Sequence, residues 1–126
     1  MTIILDKSIW IEYLKGNSNY FEQCQLLLEQ GNILTIDFIF AELLQGALNE
    51  RETSIIKAYY DSVHKLPIND IVLAAGDYSR DQKLISKGIG LIDSCIIVST
   101  IKSESKLWTL DKKIKNFLPR EYLFDV

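Results

Sequence analysis

Ser94-Cys95-Ile96-Ile97-Val98-Ser99-Thr100-Ile101-Lys102-Ser103 is the stretch on which the fold turns. Its β-branched run, Ile96-Ile97-Val98, has the propensity of a buried strand. The segment that follows, Lys106-Leu107-Trp108-Thr109-Leu110, is the better strand. A parallel sheet needs a crossover element between consecutive strands. Residues 94–103 are therefore read as a helix that feeds the strand at 106–110, and residues 111–117 as a last helix. Residues 122–124 are expected to form an edge strand.

Working back from that stretch, strands and helices alternate. Residues 2–5 form a short β-rich run stopped by Asp6. Helical spacing follows over 8–15 (Ile9, Trp10, Tyr13, Leu14), closed by Gly16, and over 17–30, closed by Gly31. Residues 32–36 read as a second strand. Asp37 then stands as the cap of a helix reaching about Asn49. Further helices are expected over 52–64 and 70–87, joined by a link at 65–68 whose Pro67 suits a sheet edge. Trp10, Tyr13 and Trp108 are expected in the core. The layered reading is an α/β fold, a three-layer αβα sandwich around a mostly parallel sheet.

The chain has 126 residues, 48% hydrophobic and 25% charged. That is the composition of an ordinary globular protein, and one domain over residues 1–126 is expected. The net charge of −3, from 14 basic and 17 acidic residues, argues against binding nucleic acid through bulk charge. It leaves room for local phosphate contacts. Cys24 and Cys95 are far apart and in no Cys-x-x-Cys pair, so both are expected to be reduced and buried. His64 is the only histidine, which leaves too few ligands for a His/Cys zinc site and no Gly-x-Ser-x-Gly to support a serine triad. The first ten residues lack the pattern of a secretion signal, and no run approaches the roughly 18 apolar residues of a membrane span. A cytoplasmic location with no membrane contact is expected.

Of the seventeen acids, four sit in strongly apolar surroundings. Asp6 ends Ile3-Ile4-Leu5, Glu42 lies within Phe38-Ile39-Phe40-Ala41-Glu42-Leu43-Leu44, Asp93 precedes Ser94-Cys95-Ile96-Ile97-Val98, and Asp111 ends Leu107-Trp108-Thr109-Leu110. An ionised carboxylate in such surroundings costs several kcal/mol unless a basic group or a divalent cation compensates it. Asp6 and Asp111 both follow strands, at the carboxyl ends that border the ligand crevice of an open α/β sheet. Carboxylates meeting there suit Mg²⁺ or Mn²⁺. Plainer roles stand beside this one. Capping accounts for Asp37 and Asp70, and by itself also for Asp93 and Asp111; Asp6 alone fits a turn, and Glu42 alone a half-exposed helix acid. Gly46, one turn after Glu42, either leaves room beside the carboxylate or permits close helix packing. Lys7, Lys106, Lys112, Lys113 and Lys115 form either a solvated face or phosphate contacts.

Taken together, the motifs resemble the PIN-domain nucleases, and among them the toxins of the VapBC type. The opening Ile3-Ile4-Leu5-Asp6-Lys7-Ser8-Ile9-Trp10-Ile11 is similar to that family's hydrophobic-Asp-x-Ser/Thr-x-hydrophobic start. Ala41-Glu42-Leu43-Leu44-Gln45-Gly46 resembles its Glu-Leu-x-x-Gly helix. Gly90-Leu91-Ile92-Asp93-Ser94-Cys95-Ile96-Ile97 and Leu107-Trp108-Thr109-Leu110-Asp111 resemble its later Asp-Ala/Ser-x-Ile-x-Ala and Thr-x-Asp segments. The four come in family order and span nearly the whole chain.

The resemblance implies a Mg²⁺- or Mn²⁺-dependent endoribonuclease of the PIN fold. Asp6, Glu42, Asp93 and Asp111 would be the metal-binding acids, with Ser8 and Thr109 supporting them by hydrogen bonds. It further implies an RNA substrate, a homodimer and a cognate antitoxin. Lys113 stands where some members carry another Asp, and Ile114 where many carry Phe. A haloacid-dehalogenase-like phosphatase would need Asp where Ser8 stands, and a receiver domain would need an acidic pair by the first strand. A PIN-like module that binds RNA or protein without cleaving is the remaining alternative.

Overall fold

The computed structural model describes residues 1–125. Its sheet has four strands, β1 (Ile3–Leu5), β2 (Ile33–Thr35), β3 (His64–Lys65) and β4 (Lys106–Trp108), in the spatial order β3-β2-β1-β4. Every strand pairing is parallel. β1 and β2 are buried on both faces, which is why each reads as an unbroken apolar run rather than an alternation. β3 is two residues long and stops before Pro67, which has no N–H to extend the ladder.

The helices are α1 (Lys7–Leu14), α2 (Phe21–Glu29), α3 (Asp37–Gln45), α4 (Glu50–Ser62), α5 (Val72–Gln82), α6 (Leu91–Lys102) and α7 (Lys112–Phe117). α1 packs on α2 and α3, and α3 on α4; α5 pairs with α6, which reaches β4. With the parallel sheet between them, these groups make the three-layer αβα sandwich expected from the sequence. The core is one contiguous cluster, and it includes Trp10, Tyr13 and Trp108. Trp10 has no solvent exposure and packs edge-on against Tyr13 and Phe40 and tilted against Tyr59. Cys24 and Cys95 are free and buried.

The β-branched segment 96–98 is helical, as the crossover argument required. α6 is buried on every side from Ser94 to Thr100, so burial overrides its strand propensity. Its polar residues are satisfied locally. The hydroxyls of Ser99 and Thr100 donate to the carbonyls of Cys95 and Ile96, four residues back, and Ser94 donates to the Ala75 carbonyl of α5 at 2.8 Å.

Several expected boundaries move. Residues 17–20 lie outside α2, α3 ends at Gln45, His64 belongs to β3, and the helix expected over 70–87 is α5 followed by a 3-10 turn at Ile85–Lys87. The expected edge strand at 122–124 is a 3-10 turn, Arg120–Tyr122, and then a single parallel bridge between Leu123 and Leu107. Neither Asp37 nor Asp70 caps a helix. Asp37 lies within the first turn of α3 and accepts a 2.6 Å hydrogen bond from the Tyr60 hydroxyl instead. Asp70 precedes Ile71, the N-cap of α5, which has no side-chain cap bond. Gly46 serves no close helix packing, since a Cβ there would meet only carbonyls of its own helix at 3.8 Å.

Trp10→Ala should lower unfolding stability by about 3–5 kcal/mol, because the cavity it leaves lies at the aromatic centre of the core. Urea denaturation measures it.

Candidate active site

The strand order reverses between β1 and β4, and that switch point is where an open parallel sheet holds its ligand. Leu5 pairs with Trp108 there, and the Asp6 N–H donates to the Trp108 carbonyl at 3.0 Å, so the two strands end side by side. Asp6 leaves β1 as the N-cap of α1, and Asp111 follows β4 as the N-cap of α7. The capping expected of Asp111 therefore holds, Asp6 caps a helix where a turn alone was expected, and the two caps fix where their carboxylates sit.

A hydrogen-bond network ties the two strand ends together. Asp6, only 7% exposed, accepts from the Lys7 N–H at 2.7 Å and from the Thr109 hydroxyl at 2.6 Å. The Ser8 hydroxyl adds a longer contact to the same carboxylate at 3.4 Å. Each hydroxyl also accepts a backbone N–H, Ser8 from Leu110 of the opposite segment at 3.1 Å and Thr109 from Asp111 of its own segment at 3.0 Å. Asp111 Oδ1 in turn accepts from the N–H groups of Lys113 and Ile114.

Asp93 sits in the first turn of α6, whose N-cap is Gly90. It is half-buried, and its carboxyl is pushed up from the usual carboxylate value to about 6. Burial is the largest cause, followed by the negative charges of Asp6, Asp111 and Glu42, while Lys7 pulls the other way. The charges of the other three acids thus reach Asp93 from three separate segments. Glu42 approaches from α3, with the Lys7 ammonium 3.9 Å from its carboxylate. Both line a cavity of about 590 Å³ between α1, α3 and α4, whose walls are the apolar Ile11, Leu14, Leu43, Ile55 and Ile56. Gly46 lines the same cavity.

The donor set is all oxygen and strongly anionic, which fits a hard divalent cation. As they are oriented, no three His, Cys, Asp or Glu side chains among the described residues stand close enough together to hold one. Asp6 and Asp111 are turned to their caps and Glu42 to Lys7, so gathering them requires side chains to rotate. Lys112, Lys113 and Lys115 are exposed, as a solvated face requires. Lys113 also reaches across to Gly88, where a Cβ would lie 3.2 Å from its Cδ and Nζ.

A family model for the PIN domain matches residues 3–117. The chain belongs to the PIN-domain family. Two solved structures resemble this PIN domain over nearly its whole length. One is VapBC2 from Rickettsia felis bound to a DNA fragment from its promoter, with a TM-score of 0.77 and 20% identity over 99% of this chain and 98% of that one. The other is a toxin-antitoxin complex from Klebsiella pneumoniae, with a TM-score of 0.72 and 15% identity over 98% of this chain and 100% of that one. At these identities the likeness is one of fold. No curated protein matches the chain significantly. Among the described residues no helix of this PIN domain is long and apolar enough to cross a membrane.

Two features escaped the sequence. The Lys7–Glu42 pair joins two helices whose packing no local pattern reveals. Ile55 is 40% exposed on the cavity wall, and neighbouring Leu48 is 86% exposed.

The raised Asp93 pKa has a definite sign for stability. Above pH 6 the folded protein carries the ionised, repelled carboxylate, whereas on acidification it takes up the proton near 6 and the unfolded chain only near 3.8. Asp93→Asn should therefore raise the Tm of metal-free protein at pH 7.5, and the gain should shrink between pH 6 and pH 4. Thermal melts across that range test it.

Proposed function

We propose that this PIN domain is a metal-dependent endoribonuclease and the toxin of a type II toxin–antitoxin pair of the VapBC type. It works as a single domain over residues 1–126, cytoplasmic and as a homodimer. The observation that carries the reading is that the charges of Asp6, Asp111 and Glu42, from three separate segments, all raise the cost of ionising Asp93. Such an arrangement destabilises the fold unless a ligand of opposite charge is its purpose. The fold shared with proteins from toxin–antitoxin complexes supports the biological role.

A Mg²⁺ or Mn²⁺ ion held by the four acids would supply Lewis acidity toward a phosphodiester and an activated water. The chain's own residues do the positioning. Thr109 and Ser8 hold Asp6 between the two strand ends, and the cap bonds of α7 hold Asp111. Lys112 and Lys113, on the helix that Asp111 caps, are placed to contact flanking RNA phosphates. The apolar wall with Leu48 and Ile55 beside Glu42 is the surface for the antitoxin.

A module that binds without cleaving is the second reading, and the splayed orientation of the acids favours it. Metal separates the two. The nuclease should melt several degrees higher with millimolar Mn²⁺ than with chelator, and the binding module should not.

Asp6→Asn and Asp93→Asn should fold yet lose RNA cleavage by a factor of at least about a hundred. Incubating total RNA with each protein in Mn²⁺, Mg²⁺ or chelator measures it, and wild-type cleavage by either variant would overturn the site. Leu48→Asp and Ile55→Asp should leave cleavage intact and weaken binding to the antitoxin, read as lost neutralisation of toxin-induced growth arrest.

A further inference from the structure

We propose that Lys7 is a tethered counter-cation of this site, whose ammonium neutralises Glu42 in the metal-free protein and has to withdraw before Glu42 joins a divalent ion. The inference rests on the reading of Asp6, Glu42, Asp93 and Asp111 as the donors. It adds a basic residue to the acids, and it gives a reason why Glu42 is turned away from the other three.

The geometry begins at the strand end. Lys7 is the first residue of α1, and its backbone N–H already holds Asp6 Oδ1 at 2.7 Å. Its side chain crosses to α3, where Nζ stands 3.9 Å from Glu42 Oε2. Among the described residues the other ion pairs, Lys15–Glu12 and Arg80–Asp81, join near neighbours along the chain. Lys7–Glu42 is the one that links two elements, and both of its residues line the cavity. The remaining charged groups on that wall have partners of their own. Lys15 stands 3.7 Å from Glu12, and Glu52 accepts the Leu48 N–H at 3.1 Å. Lys7 is thus the cation that faces the acids, and its charge reaches Asp93 as well.

A lysine ammonium and a divalent cation at the same carboxylate repel each other. The Lys7 and Glu42 side chains are 44% and 28% exposed, so water screens the pair and the lysine has room to swing out. The competition is accordingly modest and reversible. Replacing Lys7 leaves the α1 cap intact, because the cap bond comes from the backbone.

The test is a calorimetric Mn²⁺ titration of purified RNA-free protein, comparing wild type, Lys7→Gln, Glu42→Gln and the double variant, with circular dichroism melts to establish folding. Lys7→Gln should bind Mn²⁺ about fivefold more tightly than wild type, the magnitude of a partly exposed ion pair. In the Glu42→Gln background the same replacement should bring little further gain, since the guarded carboxylate is gone. Unchanged or weaker Mn²⁺ binding by Lys7→Gln overturns the inference, and so does an equal gain with and without Glu42. Wild-type protein that binds no Mn²⁺ sinks the four-acid reading itself, a failure distinguishable from the other two.

Discussion

Leu5 and Trp108 lie side by side in the parallel ladder of β1 and β4, and the Asp6 N–H closes that ladder on the Trp108 carbonyl. Thr109 and Asp6, 103 positions apart in sequence, become hydrogen-bond partners as a result. The rest of the site depends on this pairing. Two short strands buried on both faces have little freedom of register, because a shift would move apolar side chains out of the layers above and below. With the register held, the chain leaves both strands at the same end of the sheet, turning at once into α1 and after three residues into α7. The two turns need N-caps, and aspartate fills both places. Capping and site-building are one structural act here rather than rival explanations.

The assembled charge is a liability that the fold distributes unevenly. Asp6 and Asp111 are compensated by hydroxyl and backbone donors, and Glu42 by the Lys7 ammonium. No comparable partner is recorded for Asp93 among the described residues, and it sits in the first turn of the most deeply buried helix of the molecule. Its raised pKa expresses what remains uncompensated. A helix N-terminus relieves a part of that cost, since its unpaired N–H groups favour negative charge. The acids are thus held close enough to feel one another and apart enough for the metal-free protein to remain folded.

Much of this was legible in the residue order. Unbroken apolar runs announced two-sided strands, helical spacing announced the layers, and an acid at the end of an apolar run announced something that needed compensation. Residues 94–103 were decided by topology rather than propensity, and that argument held because a parallel sheet has no other way to reach its next strand. The reading failed where short-range signals compete with partners distant in sequence. Asp37 has the look of a cap, but the Tyr60 hydroxyl from α4 offers its carboxylate a strong bond that no local pattern contains. The tail at 122–124 has strand propensity, yet a turn of 3-10 helix leaves room for one bridge only.

The residue order by itself determined the αβα class and the short list of acids, because apolar periodicity and the cost of burying a charge are properties of neighbouring residues. Only the tertiary structure decided that the charges of three distant acids reach Asp93, that Lys7 stands against Glu42, and that an apolar cavity opens beside that pair. Those facts depend on distances between segments far apart along the chain, and such distances come into being only when the sheet and its helices pack.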